Sequence, residues 1–248
     1  MRIKVLSIGH SFAQDSTRYL SQIAKADGHE LNVVNLYIGG CPLSRHYRNM
    51  LTEEKAYELE YNGHQTGFPV SLKDALFARE WNYVVLNQTS LLSTKYETFQ
   101  PYLSELSAYV KKMAPHAKQY VHETWAYEEG SSKLAGMGFD TRKDMYDALH
   151  QVYAKAAADI SADGIIPSGT LFQRLLEKGI TELHRDHWHA SKGIGRYALA
   201  LLWYRTLMGE DVLNNSFCNF DKPVDEETVK IIKETVNEFR GGDTSWIY

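Results

Sequence analysis

The stretch Arg2-Ile3-Lys4-Val5-Leu6-Ser7-Ile8-Gly9-His10-Ser11-Phe12 decides the fold. Ile3–Ile8 is a short, β-branched apolar run, too short for a helix, and it ends in a glycine that lets the chain turn sharply. It reads as a buried strand. Similar runs follow at Leu31–Tyr37, Tyr83–Leu86, Gln119–Val121 and Gly164–Ile166. Between and after them lie segments with helical spacing: Thr17–Ala26, Tyr102–Met113, Lys143–Ile160, Leu171–Lys178, Gly195–Met208 and Glu226–Phe239. Alternation of this kind predicts a mainly parallel sheet covered by helices on both faces, with the ligand site outside the carboxyl ends of the strands. Asp15, Ser16 and Thr17 are candidate caps for the first helix, which leaves Ser11 in the strand-to-helix turn; Thr141 and Asp144 are candidates for the helix near Lys143.

The 248 residues carry no linker-like or repeated stretch, so residues 1–248 are read as one domain, with 44% hydrophobic residues to fill its core. Two aromatic, polar and glycine-containing stretches, Pro42–Pro69 and His122–Asp140, read as long loops that wall a site, and Gly241–Tyr248 as a loosely docked tail. A formal net charge of -4 offers no positive field for a phosphate backbone, which argues against nucleic acid and for a small substrate. Cys41 and Cys218 are too few and too far apart for a disulfide framework or a thiolate zinc site. No apolar run approaches the roughly 18–20 residues of a membrane span. The N-terminus leads into a strand rather than a signal peptide, so the expectation is a cytoplasmic chain, or a secreted or periplasmic one if a leader has been removed.

Chemistry is concentrated at strand ends. A serine directly after the first strand, at Gly9-His10-Ser11, can expose its hydroxyl at the mouth of a site, although serine is equally a common helix cap. In Asp186-His187-Trp188-His189 an aspartate three residues before a histidine can hold Nδ1–H and leave Nε2 free as a general base; the plainer alternative is a polar loop with Asp186 as a cap. His184, His187, His189 and Asp186 could also ligate a metal, with His122-Glu123 as the remote ligand, but no H-E-x-x-H helix or thiolate pair accompanies them, and the reading adopted has neither metal nor cofactor. Gly39-Gly40 and Asn87-Gln88 follow the second and third strands, where backbone N–H groups and a side-chain amide could bind an oxyanion or simply close turns.

The order of these blocks resembles the SGNH (GDSL-like) hydrolase superfamily. IGHSF, LYIGGCPLSRHY, VVLNQTS, HETWAY and RDHWHASKGIGRY are similar to an uncharacterised bacterial branch whose first block usually reads G-N-S-F. The resemblance spans nearly the whole chain. It implies a flavodoxin-like three-layer α/β/α sandwich around a mainly parallel five-stranded sheet. It also implies a triad of Ser11, His189 and Asp186, with an oxyanion hole from Ser11, Gly40 in preference to Gly39, and Gln88, with Asn87 as the other choice. His10 departs from the small polar residue usual before the family serine, and the third block lacks G-x-N-D. The implied activity is that of a serine esterase acting through an acyl-enzyme on an acetylated carbohydrate or small ester. Thioester hydrolysis and acyl transfer use the same triad, and the alternative is a glycan-binding protein without turnover. His46, Trp125 and Tyr127 are the expected substrate contacts, since aromatic faces with polar tips suit sugar rings.

Overall fold

The structure, a computed structural model, describes residues 2–239, so the C-terminal tail expectation lies outside the described residues. Strand β1 (Arg2–Gly9) leads into α1 (Ser11–Thr17) and α2 (Leu20–Ala26), then β2 (Glu30–Tyr37) and α3 (Leu43–Thr52). A hairpin of β3 (Tyr57–Tyr61) and β4 (His64–Val70) follows, then α4 (Leu72–Phe77), β5 (Tyr83–Asn87), α5 (Tyr102–Met113) and β6 (Lys118–Glu123). The chain continues through α6 (Ser132–Gly136), α7 (Arg142–Asp159), β7 (Gly164–Pro167), α8 (Ser168–Glu177), α9 (Ile194–Met208) and α10 (Glu226–Asn237).

The sheet order is β4-β3-β2-β1-β5-β6-β7. Five strands, β2-β1-β5-β6-β7, run parallel and coincide with the five read from the sequence. The expectation of a five-stranded sheet is nevertheless corrected: the sheet has seven strands and is mixed, because β3 and β4 add an antiparallel hairpin to its edge. All the residues that form it except Val70, together with α3, lie within Pro42–Pro69, expected to be a loop. Asn62-Gly63 makes the turn with φ of 50° and 79°, the left-handed pair that a tight hairpin needs. A Cβ on Gly63 would stand 2.3 Å from the Arg18 carbonyl oxygen, so the residue is fixed by both conformation and space.

Helices α1, α2, α8, α9 and α10 pack into one group and α3, α4 and α5 into another, making a mixed α/β sandwich. The parallel strands are buried almost throughout, which explains why they read as continuous apolar runs. The first helix starts at Ser11 rather than near Thr17, and its cap is His10, so Asp15, Ser16 and Thr17 lie inside α1 instead of capping. The Thr141 side chain caps α7, accepting from Asp144 N–H at 3.1 Å.

The topology places the site. From β1 the chain steps to β2 on one side and later crosses to β5 on the other, leaving a crevice at the carboxyl ends where the sheet order reverses. Paired positions Gly9↔Tyr37, Ile8↔Leu86 and Asn87↔His122 bring the ends of β1, β2, β5 and β6 to one edge.

Candidate active site

Ser11 is the first residue of α1, two positions beyond Gly9. A Cβ on Gly9 would lie 2.6 Å from both Ala13 Cβ and Asn35 Oδ1, so only glycine lets α1 fold back this tightly over the strand end. The fully buried His10 organises the turn: its Nδ1 accepts from Phe12 N–H at 3.3 Å, which leaves Nε2–H to donate to the Gln88 carbonyl at 2.9 Å. Burial lowers the His10 pKa to about 4, keeping it neutral in this role. As the first N–H of a helix, that of Ser11 has no intrahelical acceptor.

The turn meets a loop from the far end of the chain. His189 Nε2 lies 3.0 Å from Ser11 Oγ, and His189 Nδ1 lies 2.8 Å from Asp186 Oδ2. His189 N–H also donates to Asp186 Oδ1 at 2.8 Å, so one carboxylate fixes both the backbone and the ring of the same histidine. That bond pair puts the proton on Nδ1 and leaves the Nε2 lone pair for the serine hydroxyl. Burial raises the Asp186 pKa, but the two His189 N–H groups and the nearby Arg185 outweigh it and hold the carboxyl below its ordinary value. The loop is closed on itself by a bridge between His184 and Ala190, by Arg185 N–H to the His189 carbonyl at 3.0 Å, and by the Trp125 indole N–H to the Trp188 carbonyl at 2.7 Å. His187, between acid and base, sits at φ 73°, and its carbonyl accepts from Glu128 N–H at 2.8 Å.

A cleft of 220 Å³ opens over Ser11 and His189, walled by Tyr37, Gly39, Gly40, Thr89, Ser90, Leu91 and Trp188. A larger cavity of 430 Å³ beside Trp81 and His116 contains no nucleophile with a base in contact. The smaller cleft is the one onto which the Ser11–His189 contact opens.

The remaining expected residues divide. Gly40 lines the cleft. Gln88 does not, because its amide is engaged in the fold: Nε2 donates to the Thr98 carbonyl and hydroxyl at 3.2 and 3.1 Å, while Oε1 accepts from Leu43 and Thr89 N–H, both at 3.0 Å. The Asn87 amide is directed inward as well, donating to Ser7 Oγ and the Ile8 carbonyl and accepting from His122 Nδ1–H at 2.8 Å. The expectation that His46, Trp125 and Tyr127 touch substrate is corrected, since all three are fully buried. His46 Nδ1 and the Tyr57 hydroxyl share a hydrogen bond at 3.0 Å, Trp125 stacks on Phe12 at 4.0 Å between centroids, and the Tyr127 hydroxyl donates to Ser90 Oγ at 2.9 Å. Trp125 and Tyr127 thereby support the walls of the cleft from behind, through Phe12 and Ser90. The residues that sequence reasoning missed are Thr89, Ser90, Leu91 and Trp188, of which Trp188 carried a signal: it lies inside the Asp-x-x-His block itself.

The clustered histidines diverge. His184 Nε2–H donates to the Ala126 carbonyl at 3.1 Å, His187 faces Glu128, and His189 faces Ser11. Among the described residues no group of three or more His, Cys, Asp or Glu side chains is placed to hold a metal ion. Also among them, no helix is long and apolar enough to cross a membrane.

The mixed α/β sandwich resembles the fold of SGNH and GDSL-like hydrolase structures. The chain belongs to the family described as Domain of unknown function (DUF4886), which matches residues 4–237. The crystal structure of a DUF4886 family protein from Bacteroides uniformis ATCC 8492 is similar with a TM-score of 0.90 and 29% identity, over 96% of this chain and 94% of that one. A proposed SGNH hydrolase from Slackia heliotrinireducens has a TM-score of 0.62 and 23% identity, over 84% of this chain and 100% of its own. Est24, a carbohydrate acetylesterase from Sinorhizobium meliloti, has a TM-score of 0.52 and 14% identity, over 84% and 98%. The last two likenesses concern the fold alone. No curated protein matches the chain.

Proposed function

We propose that the protein is a serine esterase that hydrolyses carboxylic esters through an acyl-enzyme, and that its substrate is an acetylated carbohydrate or another small ester. The observation that carries this reading is the contact chain Ser11 Oγ to His189 Nε2 at 3.0 Å and His189 Nδ1 to Asp186 at 2.8 Å, open to a cleft. In the reaction Ser11 Oγ attacks the ester carbonyl carbon while His189 Nε2 takes the hydroxyl proton, and Asp186 stabilises the imidazolium. The C–O bond then breaks and His189 returns the proton to the leaving alcohol. Water repeats the sequence, releasing the acid and freeing Ser11.

For the oxyanion, the reading uses Ser11 N–H, Gly40 N–H and the Thr89 hydroxyl. Thr89 replaces Gln88 and Asn87 in this role because their NH₂ groups already have partners while Thr89 lines the cleft. The modest cleft supports a short acyl group, and the fold shared with a carbohydrate acetylesterase supports a sugar ester. Half-buried Trp188 is the aromatic surface on which the alcohol part would rest.

A fluorophosphonate probe tests the proposal, because only an activated serine reacts with it quickly. Labelling of the wild type, lost in Ser11→Ala and His189→Ala, is the expected result. An unlabelled wild type overturns the esterase reading, and retained glycan binding would then mark a binding protein on the same fold. Turnover of p-nitrophenyl acetate against acetylated sugars separates the substrate classes.

A further inference from the structure

One side chain close to Ser11 is buried and charged without being part of the proton relay. Asp15 lies one helical turn beyond Ser11 on α1 and has no solvent exposure. Two arginines hold it: Arg185 Nη1 donates to Oδ2 at 2.8 Å and Arg196 Nε to Oδ1 at 2.8 Å. Arg196 reaches on to Asp221 at 2.7 Å, and Asp221 accepts from Arg18 at 2.7 and 2.9 Å. The result is an unbroken series of charges, Arg185-Asp15-Arg196-Asp221-Arg18, running from the loop that bears the base to the far end of α1.

Buried ion pairs add little net stability, because desolvation cancels much of their attraction, but their hydrogen bonds fix geometry closely. What Arg185 fixes is specific. It is the residue immediately before Asp186, with Nε 4.0 Å from the Asp186 carboxylate. The same Nη1 that holds Asp15 also donates to the Ala190 carbonyl. One guanidinium therefore grips the loop just before Asp186 and just after His189, and fastens both points to the helix that begins with Ser11. The circuit Ser11, α1, Asp15, Arg185, Asp186, His189 closes on itself.

We infer that Asp15 and Arg185 are positioning residues, a buried clamp that sets the distance between the Ser11 hydroxyl and the His189 imidazole. The inference rests on the proposed esterase reading for its kinetic consequence, though the geometric consequence for His189 is independent of turnover. Without the clamp the loop keeps its main-chain bridge yet is no longer registered on α1, so the base is misplaced and its side-chain bond to Asp186 opens to solvent. Displacements of about 1 Å at a reacting pair can cost about 10²-fold in rate.

The test uses Arg185→Gln and Arg185→Lys, since Asp15→Asn turns both Arg185 and Arg196 onto a neutral amide at a fully buried position and risks the fold. The Arg185 side chain is 25% exposed and Arg196 still pairs with Asp15 when Arg185 is replaced, so the buried carboxylate keeps one cationic partner. For Arg185→Gln the maximal rate of fluorophosphonate labelling is expected to fall about 10- to 100-fold with half-saturation within about twofold of wild type. Arg185→Lys should fall between, because an ammonium can meet Asp15 but cannot also span the loop as a planar fork does. Arg174→Gln, which breaks a surface pair with Glu238, should label like wild type. In parallel, NMR follows the His189 Nδ1–H proton bonded to Asp186, which a general loss of stability would leave in place below the melting transition. Its loss to exchange in Arg185→Gln supports the clamp even if the wild type never labels, in which case it is the esterase reading that fails. An Arg185→Gln protein whose His189 proton persists and which labels at the wild-type rate overturns the clamp.

Discussion

Replacing Asp186 by asparagine tests whether the carboxylate governs the state of the base. Asp186 receives two N–H groups from His189, the main-chain one at Oδ1 and the ring one at Oδ2, both at 2.8 Å. An asparagine can accept only one of them. If its oxygen keeps the main-chain N–H, its NH₂ faces Nδ1, which must then accept; the ring proton moves to Nε2 and points at Ser11 Oγ. In that tautomer the imidazole cannot take the serine proton. If the amide flips, the ring keeps its useful tautomer but the main-chain N–H of His189 faces another N–H. That leaves one unpaired donor, about 1–3 kcal/mol, and replaces a charge-assisted bond of about 1.5–3 kcal/mol by a neutral one of about 0.5–1.5 kcal/mol. The sum, roughly 2–4 kcal/mol, corresponds to about a 30- to 10³-fold loss of rate. The Asp186 side chain is 45% exposed, so the fold should survive. The assay is hydrolysis of p-nitrophenyl acetate alongside thermal melting. Asp186→Asn activity within tenfold of wild type at an unchanged melting temperature would refute the tautomer argument.

Three other outcomes are expected. Thr89→Val should lower kcat by about 10²-fold with little change in melting temperature if the hydroxyl serves the oxyanion; Gln88→Ala should instead show as lost stability, because it leaves the Leu43 and Thr89 N–H groups without their acceptor at about 1–3 kcal/mol each. Burial holds His10 at about 4 and His46 at about 3, below the 6.5 of an exposed histidine. The unfolded chain therefore binds protons that the folded chain refuses, and stability that is complete above about pH 6.5 declines as pH falls towards about 4, by up to about 1.4 kcal/mol per pH unit for each such histidine. Urea midpoints between pH 7 and 4.5 measure this, and a His46→Asn protein with the same slope as wild type would exclude His46 as a source. Finally, Trp188→Ala should raise KM for aryl or sugar esters roughly 3- to 10-fold while kcat changes less, as the loss of an aromatic contact of about 0.5–1.5 kcal/mol requires; an unchanged KM would remove Trp188 from the alcohol site.

Legibility in the sequence followed burial and locality. The five parallel strands stood out because strands covered on both faces are apolar at nearly every position, as in Ile3–Ile8 and Tyr83–Leu86. The β3–β4 hairpin did not, because its outer strand His64–Val70 is exposed along its length and contains Gly67 and Pro69, so it shows no alternation. Its one signal was Asn62-Gly63, which was absorbed into a presumed loop. Ser11, Asp186 and His189 were legible because Asp-x-x-His is a local geometric unit and Ser11 follows the central strand. Trp125 and Tyr127 misled because residues just beyond a strand end read as exposed loop, whereas the Trp188 carbonyl and Ser90 hydroxyl, remote in sequence, draw them inward. The fate of the Gln88 amide depended on Thr98 and Leu43, contacts that no spacing rule contains.

The order in which the parts occur along the chain has one more consequence. Among the described residues the last strand ends at Pro167, before the loop that carries Asp186 and His189. A ribosome making this protein completes those strands, with Ser11 already placed just beyond the first of them, before the loop that meets it exists. The frame of the cleft is thus laid down before the contact across it. A chain interrupted after α8 would hold the seven strands and Ser11 without its histidine partner, so on the proposed esterase reading the last quarter of the sequence is the element that arms the site.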